Sequence, residues 1–447
     1  MPHRNSVTQI VAALLLLSTL ACGLLPSPAP TPTPTRLPQP ILQTATPALQ
    51  VQETLPTPLP PPTGFPTPVP PPVNTVVPNP AQPAGPQHYE DGQKVRIDHI
   101  SMVTRTEGWG ISGPFIFRTT DGGNSWREFT PPQSIDSPSK TKAYATFSGA
   151  THGWVVYSIN DMLYEDSVVW HTADGGRTWS PSQPLLHEVY AEKMWAELRA
   201  VDETHAWLSI NGVYVGAGSH YLSQFYRTTN GGASWEPLDA DVGIAYTGME
   251  FADPLTGWLT WESLDPYAPG PPSFALTGDG GPSWVVWELP PPDGQPTLFE
   301  DLRHAEPYAP TYLTPSSMRL LVAAYDFFAP GPATPLPDAP HSSYLYGSED
   351  GGMSWGMTDL PDDVFAPNYD LVFFDPLVGL LLGREIYQTS DGGGSWDHVK
   401  TVNWDGEFSF VDAEYGWAVA RSGNEQALVR TVDGAQTWAE VEARVKR

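Results

Sequence analysis

The stretch RTTDGGNSW, residues 118–126, decides the fold because variants of it recur along the chain. Each variant has Asp or Asn near its middle, at least one Gly directly after it, and a closing Trp. The repeated pairs are Asp121 and Trp126, Asp174 and Trp179, Asn230 and Trp235, Asp279 and Trp284, Asp350 and Trp355, Asp391 and Trp396, and Asp433 and Trp438. We call these seven segments the Asp-Gly turns.

The spacing of the turns predicts the architecture. Successive turns are between 41 residues (Asp350 to Asp391) and 71 residues (Asp279 to Asp350) apart. A second apolar signal, often Gly-Trp as at Trp417, precedes most turns, and each unit divides into four short strands. Periods of this size with strand-like composition are typical of propellers or solenoids. We therefore expect an all-β, seven-bladed β-propeller of four-stranded antiparallel blades, preceded by a signal peptide and a disordered Pro-rich stalk.

The pattern Ser/Thr-x-Asp-x-Gly-x-Ser/Thr-Trp resembles the Asp-box, or BNR, repeat. Together with the Gly-Trp element, it resembles the version found in photosystem II assembly factors and their bacterial relatives. The resemblance covers roughly residues 94–445 and implies a propeller with an assembly or scaffolding role. Sialidases carry the same box, so the resemblance also admits a propeller-type glycoside hydrolase or lyase.

The chemistry of the turn predicts a structural role for its acids. Asp121 is expected to accept hydrogen bonds from backbone N–H groups and from the Ser125 hydroxyl, and Gly123 to adopt positive φ. Trp126 should then bury its indole in the blade. Ala435 stands where the other turns have Gly, so a distorted hairpin is expected there. A carboxylate that fixes its own turn is not free for catalysis, so no catalytic residue is assigned.

The N-terminal part has three features of an exported protein. Residues 1–21 contain Arg4 and then an apolar run too short to span a bilayer comfortably, which indicates a signal peptide. The sequence around Cys22, the only cysteine, resembles a bacterial lipobox and implies lipidation there. Residues 22–86 form a Pro/Thr-rich disordered linker that should join neither sheet nor helix, and 87–447 form the propeller. The chain is therefore expected outside the cell, held to the outer side of the membrane by lipid.

The charge of the chain excludes one class of partner. Its 22 basic and 50 acidic residues give a net charge of −28 at pH 7. Nucleic acid requires basic surface, so no nucleic-acid partner is predicted. The single cysteine also excludes a disulfide within the chain. We expect a monomer.

Long connections between the second and third strands of blades two to five predict the binding face. These connections, residues 158–167, 211–223, 262–273 and 326–343, should all lie on the face opposite the Asp-Gly turns, and insertions on one face usually bind. They could equally pack onto the blade tops. The candidate ligand-binding aromatics in or beside them are Tyr164, Tyr221, Trp261, Tyr267, Phe327 and Phe328.

The sequence favours binding over catalysis. The Arg-Ile-Pro element that opens sialidase domains is absent, and the 11 histidines show no metal-ligand spacing, so no metal and no cofactor are predicted. Acidic pairs suited to glycoside hydrolysis must exist, but the sequence does not choose one. The expected function is a non-enzymatic binding module for a protein or glycan outside the cell. The alternative is a glycoside hydrolase or lyase of propeller type.

Overall fold

A computed structural model describes residues 79–133, 135–164, 166–185, 193–215, 219–238, 246–261, 271–291, 295–301, 304–314, 316–325 and 341–447. The predicted signal peptide, the lipidation site Cys22 and most of the predicted linker lie outside the described residues. No helix in the described part of the chain is long and apolar enough to cross a bilayer.

The strands fall into seven sheets in chain order, which we number as blades 1 to 7. A short strand, β1 (Gln82–Pro83), precedes them. The first three blades contain β2 (His99–Met102), β3 (Gly108–Ser112), β4 (Phe115–Thr119) and β5 (Ser125–Glu128); β6 (Thr141–Ser148), β7 (His152–Ile159), β8 (Trp170–Thr172) and β9 (Thr178–Pro181); and β10 (Lys193–Ala200), β11 (Ala206–Val215), β12 (Ser219–Thr228) and β13 (Glu236–Leu238).

The other four blades follow the same plan, except that the innermost strand of blade 5 is in two pieces, β18 and β19. The strands are β14 (Tyr246–Phe251), β15 (Gly257–Trp261), β16 (Ser273–Thr277) and β17 (Val285–Glu288); β18 (His304–Pro307), β19 (Thr311–Tyr312), β20 (Met318–Tyr325), β21 (His341–Ser348) and β22 (Gly356–Asp359); β23 (Asp370–Phe373), β24 (Gly379–Leu382), β25 (Glu385–Thr389) and β26 (Asp397–Thr401); and β27 (Asp405–Phe410), β28 (Gly416–Ser422), β29 (Glu425–Thr431) and β30 (Ala439–Glu440).

Three short helices and one last strand complete the described chain. They are a 3₁₀ turn (Pro138–Lys140), α1 (Leu298–Asp301), a second 3₁₀ turn (Ala366–Asn368) and β31 (Arg444–Val445). Within each blade, consecutive strands pair antiparallel, and we call them A to D from the axis outward. The prediction of a seven-bladed propeller with four-stranded blades is confirmed.

Apolar clusters hold neighbouring blades together around the whole ring. Among the described residues, seven such clusters each combine side chains from two adjacent blades. The cluster that joins blade 7 to blade 1 contains Trp417 and Val419 on one side and Phe117 and Trp126 on the other. Because the first and last blades pack in this way, the sheets form a closed ring rather than an open row.

The C-terminal tail adds a seal that the repeat pattern did not predict. Strand β31 leaves blade 7 and pairs parallel with β5, the outermost strand of blade 1. Val445 is 2 % exposed and lies in the same apolar cluster as Trp126. Its N–H donates to the carbonyl of Gln93, and its carbonyl accepts from the N–H of Gly92, both at 2.8 Å. The tail is therefore held between the start of the head and blade 1.

The first described residues also belong to the head. Gln82 and Pro83 pair antiparallel with Trp179 and Thr178 on the outer edge of blade 2. The expectation that residues up to 86 join no sheet is therefore wrong at this point. Pro83 is tolerated because an added edge strand does not need every backbone N–H in its ladder.

Each Asp-Gly turn is closed by side-chain hydrogen bonds. In blade 1, Asp121 Oδ1 accepts from the Ser125 backbone N–H at 2.8 Å, and Oδ2 accepts from the Ser125 hydroxyl at 2.6 Å. The Thr119 hydroxyl donates to Asp121 and accepts from the Gly123 N–H at 2.9 Å. Gly123 has φ of 89°, as expected. Equivalent bonds recur at Asp174, Asp279, Asp350, Asp391 and Asp433.

Two turns depart in sequence from this pattern, and both keep its geometry. Asn230 accepts from the Ser234 N–H at 3.1 Å and donates its own amide to the Ser234 hydroxyl. Ala435 adopts φ of 69° and donates to the Thr431 hydroxyl at 3.0 Å. The expectation of a distorted hairpin at Ala435 is therefore wrong, because alanine accepts the left-handed conformation at a modest steric cost.

The Asp-Gly turns fix the two faces of the ring. In every blade, the first Gly of the turn donates its N–H to a carbonyl in the A–B turn of the same blade, as Gly122 does to Thr106 at 2.8 Å. The A–B and C–D turns therefore share one face, which we call the turn face. The B–C connections and the segments between blades lie on the opposite face, which we call the loop face.

Two sets of tryptophans divide the packing between them. Trp126 and Trp179 of the turns are fully buried, whereas the turn tryptophans of the other five blades are only partly buried. The B-strand tryptophans Trp154, Trp207 and Trp417 are 0–1 % exposed. Their indole N–H groups donate to glycine carbonyls in the Asp-Gly turn of the next blade at 3.0–3.2 Å. The turns therefore join blades as well as closing hairpins.

The turn acids predict how the stability of the fold depends on pH. Hydrogen bonds from Ser283 and Ser395 lower the pKa of Asp279 and Asp391 to about 2, below the value of about 3.9 expected for an unfolded Asp. A carboxyl with a lowered folded-state pKa stabilises the fold above the unfolded pKa, and this contribution is lost as the pH falls. We expect Tm, followed by tryptophan fluorescence, to fall steeply between pH 4 and pH 2.

Blade 3 offers a matched variant because its turn has Asn230 in place of Asp. The substitution Asn230→Asp should raise Tm at pH 6 and change it much less at pH 2, where an Asp in this turn is about half protonated and most of its contribution is lost. An equal effect at both pH values would show that the turn carboxylates do not stabilise the fold through their charge.

Candidate functional site

The structure describes three of the six aromatic residues that the sequence singled out, and these three belong to different blades. Tyr164 lies on the B–C connection of blade 2 and is 47 % exposed. Trp261 ends β15 and packs against the apolar cluster between blades 3 and 4. Tyr221 is in strand β12, and its side chain lies outside the described part of the structure. Tyr267, Phe327 and Phe328 also lie outside the described residues.

One of the four predicted loops is instead a long hairpin. Residues 211–215 and 219–223 belong to strands β11 and β12, with Asn211 opposite Ser223 and Val213 opposite Tyr221. The strands extend beyond the expected point, and the segment contains the strand-favouring residues Val213, Val215 and Tyr221. This part of the predicted loop is therefore a two-stranded extension of blade 3 on the loop face.

A cavity of about 780 Å³ lies on the loop face between blades 6 and 7, and we call it the acidic cavity. Its charged groups are brought together by residues at the beginnings of strands and by a tight B–C turn. The charged residues are Asp363, Asp370, Arg384, Glu385 and Asp405. The backbone that supplies them is well fixed, because Asp370 begins β23, Asp405 begins β27, and Arg384 precedes β25. Four carboxylates thus surround one guanidinium.

Most of these groups are already paired. Arg384 donates to both oxygens of Asp405 at 2.7 and 2.8 Å, which lowers the pKa of Asp405. The Tyr387 hydroxyl donates to Asp363 at 2.6 Å. Glu385 is 2.8 Å from the ring nitrogen of His398. These contacts fix the side chains that line the cavity. Because Arg384 is already paired with Asp405, its charge is not free to pair with another acid.

Asp370 is in a different situation. No cation of the described residues lies within ion-pair distance of its carboxylate. Water reaches Asp370 inside the cavity, yet the surrounding chain displaces much of its hydration, and this desolvation raises its pKa to about 6. The nearby carboxylate of Glu407 adds to the shift. At neutral pH the cavity therefore holds a charged carboxylate without a counterion.

A second cavity, of about 290 Å³, lies along the inner strands of blades 1 to 3. Near the loop face, His99 is 2.7 Å from Glu407, and this hydrogen bond raises the pKa of His99. Towards the turn face, Arg199 is 3.2 Å from Glu250, whose pKa is raised by burial. Charges of both signs therefore lie along this second cavity, which makes it less acidic than the acidic cavity.

Sequence reasoning missed the acidic cavity. Asp370 and Asp405 are two among 50 acidic residues, and their pairing depends on which strands start side by side. The only sequence signal for the cavity was the position of these two acids in their blades. Both residues begin an innermost strand and so lie at the loop face. The described residues contain no group of three or more His, Cys, Asp or Glu side chains placed to hold a metal ion.

Comparisons with known proteins give similarity at the level of whole propellers. No protein-family model matches the chain, and no curated protein matches it. A solved structure of YCF48 bound to a D1 peptide is 17 % identical, with a TM-score of 0.48 over 78 % of this chain and 99 % of that chain. YCF48 from Cyanidioschyzon merolae is 15 % identical, with a TM-score of 0.47 over 78 % and 98 %. An ulvan lyase of polysaccharide lyase family PL25 is 10 % identical, with a TM-score of 0.38 over 81 % and 95 %.

Proposed function

We propose that this protein is a non-enzymatic binding module that holds a positively charged protein or glycan partner on its loop face. The observation that carries the proposal is Asp370, an uncompensated carboxylate in a preformed cavity. A cationic group that entered the cavity would supply the missing counterion. The partner would meet the module outside the cell if Cys22 is lipidated and residues 22–86 act as a stalk.

The environment of Asp370 supports a role in binding rather than in folding. Since its folded-state pKa is raised above that of an unfolded Asp, its charge opposes folding once the pH exceeds the unfolded value. Residues that cost stability at one point of a fold are commonly kept for function. The acids of the Asp-Gly turns have lowered pKa values and lie on the opposite face, so they do not share this property.

The proposal is tested by titrating a lysine-rich peptide, with a chitosan oligosaccharide as the glycan probe. Whichever of the two probes binds, we expect Asp370→Asn to lower its affinity about 5- to 10-fold, since one close charge pair is removed. The matched control is Asp391→Asn, which removes the same charge from the turn face of the same blade, and Asn230 shows that the turn accepts Asn. Equal losses in both variants would overturn the proposal.

The pKa of Asp370 also predicts the pH dependence of binding. A carboxyl with a pKa of about 6 is charged at pH 7.5 and largely protonated at pH 5. Affinity for the lysine-rich peptide, whose ammonium groups are charged at both pH values, should therefore fall several-fold between pH 7.5 and pH 5, and the fall should be smaller in Asp370→Asn. The same titration at the two pH values measures both quantities. Identical pH profiles for the variant and the parent would contradict the assignment of Asp370.

One observation favours glycoside hydrolysis as a second candidate. Asp370 and Asp405 line one cavity with pKa values shifted in opposite directions, which is the pattern of an acid and its ionised partner. Against it, both oxygens of Asp405 are occupied by Arg384. A panel of reporter glycosides separates the two functions. Hydrolysis that disappears in Asp370→Asn and persists in Asp391→Asn would replace the binding-only proposal.

A further inference from the structure

Another charged cavity, of about 350 Å³, lies on the turn-face side of the ring, at the junction of blades 1 and 2. Its lining is basic, although the chain as a whole carries a net charge of −28. The cations are Arg118, Arg127, Arg177, Lys446 and Arg447. Asp121 is the one acidic side chain among the lining residues, and both of its oxygens already accept hydrogen bonds within the turn. We call this site the basic cavity.

Three separate parts of the chain build the basic cavity. Arg127 comes from the outer strand of blade 1, Arg177 from the Asp-Gly turn of blade 2, and Lys446 and Arg447 from the C-terminal tail. The tail is positioned by its backbone, since the Lys446 N–H donates to the Trp126 carbonyl at 2.8 Å. The cations are thus brought together by the same contacts that seal the ring.

Four cations of the basic cavity, unlike most others in the described head, have no acidic partner for their side chains, whereas the fifth, Arg118, is 3.5 Å from Glu107. Within the described residues, no carboxylate lies within 4.0 Å of the side-chain nitrogens of Arg127, Arg177, Lys446 or Arg447. The side chain of Arg177 donates to the Asp174 carbonyl and that of Arg447 to the Tyr89 carbonyl, while the backbone N–H of Arg447 donates to Asp91 Oδ1 at 2.9 Å. Acids outnumber bases by 50 to 22, so unpaired cations gathered at one point are unexpected for a surface without a ligand.

The chemistry of the cluster favours a tetrahedral oxyanion. Like charges held close together repel one another, and a bound anion relieves that repulsion. The planar guanidinium donates two parallel hydrogen bonds to phosphate oxygens, and a lysine adds a point charge. A cavity of about 350 Å³ also leaves room for part of the group esterified to the phosphate.

We propose that the basic cavity binds a phosphate group, carried either by an anionic lipid headgroup or by a soluble phosphate ester. This site goes beyond the proposed function, because it lies on the turn-face side and shares no residue with the acidic cavity. A phosphate-bearing surface bound there would orient the head so that the loop face points away from that surface. The acidic cavity would then remain free for its partner.

The test uses the full chain with Cys22→Ser, so that membrane association cannot come from a lipid on the cysteine. Co-sedimentation is measured with vesicles of phosphatidylglycerol and, separately, of phosphatidylcholine. Calorimetric titration with glycerol phosphate and with inorganic phosphate measures the soluble source. Each experiment is repeated with Arg127→Gln/Arg177→Gln and with the control Lys140→Gln/Lys400→Gln, which removes two exposed cations elsewhere.

Binding to phosphatidylglycerol vesicles alone would identify the lipid source, and binding of glycerol phosphate in solution would identify the soluble source. In either case the Arg127→Gln/Arg177→Gln variant should lose about 30-fold in affinity, while the lysine control loses much less, since each nearby cation contributes about a factor of five. Both arginines are exposed, so the Tm of the variant should match that of the parent. No binding in any arm, or equal losses in the two double variants, would overturn the proposal.

Discussion

Replacing Trp207 by alanine is expected to lower the free energy of unfolding by about 3–5 kcal/mol, a large part of the stability of an ordinary domain. Trp207 is 1 % exposed and stacks on Phe251 of the next blade, with ring centroids 3.6 Å apart. Its indole N–H also donates to the Gly280 carbonyl at 3.0 Å. The substitution would therefore leave a cavity between blades 3 and 4 and remove the shorter of the two hydrogen bonds that the Gly280 carbonyl accepts. Chemical denaturation followed by circular dichroism measures the loss.

Two further variants separate packing from hydrogen bonding at this seam. Trp207→Phe keeps an aromatic ring against Phe251 but loses the hydrogen bond, so a smaller loss of about 1–2 kcal/mol is expected. Val285→Ala, on an outer strand where the side chain is 58 % exposed, should change stability by less than about 0.5 kcal/mol. A loss in Trp207→Ala no larger than that in Val285→Ala would show that the turns do not join neighbouring blades.

The second large effect is expected from removing the last four residues, 444–447. This deletion takes away β31, the buried Val445, and the backbone hydrogen bonds to Gly92, Gln93 and Trp126. Burial of a valine contributes about 1.5–3 kcal/mol and each hydrogen bond about 1 kcal/mol. A loss of about 3–6 kcal/mol is therefore expected, measured as a lower midpoint in urea unfolding.

A control variant for the deletion keeps the C-terminal strand β31. Lys446→Gln/Arg447→Gln keeps β31, Val445 and the backbone hydrogen bonds, and it removes only two charges and the exposed hydrogen bonds from the Arg447 side chain to the Tyr89 carbonyl, so its urea midpoint should stay near that of the parent. A deletion variant as stable as this control would mean that the tail does not close the ring. Opening of the seam is also expected to increase hydrogen exchange of the blade 1 and blade 7 amides more than that of blade 4.

The sequence predicted the repeating part of the fold because each unit carries its own complete signal. An Asp with a hydroxyl residue four positions later and a Gly at positive φ specifies a hairpin without help from distant residues, as at Asp121 and Ser125. Even the Asn230 turn could be predicted on this basis. Four strands per blade then follow from the apolar stretches between turns.

Features that depend on distant partners could not be predicted in the same way. A two-residue strand such as β31 has no periodicity, and its position depends on the groove between Gly92 and blade 1. Gln82–Pro83 joins a sheet only because the outer edge of blade 2 is open. The geometry of Ala435 was misjudged because the turn's hydrogen bonds outweigh the residue's own conformational preference.

The two charged cavities illustrate the same limit for function. Asp370 acquires its raised pKa from desolvation by the surrounding chain and, to a smaller extent, from the carboxylate of Glu407, neither of which its own sequence context reveals. The basic cavity combines residues as far apart in sequence as Arg127 and Lys446. The net charge of −28 excluded a nucleic-acid partner, but it does not show that acidic and basic residues are gathered at different places on the ring.

The central claim is that acids on the two faces have different tasks: those of the Asp-Gly turns hold the fold, and those of the acidic cavity bind a partner. The most direct test is to couple a bound lysine-rich peptide to the protein's carboxylates with a carbodiimide and to map the coupled residues by mass spectrometry. We predict that coupling concentrates at Asp370 and its neighbours Asp363 and Asp405. Coupling spread over the turn-face acids, such as Asp350 and Asp391, would contradict the claim.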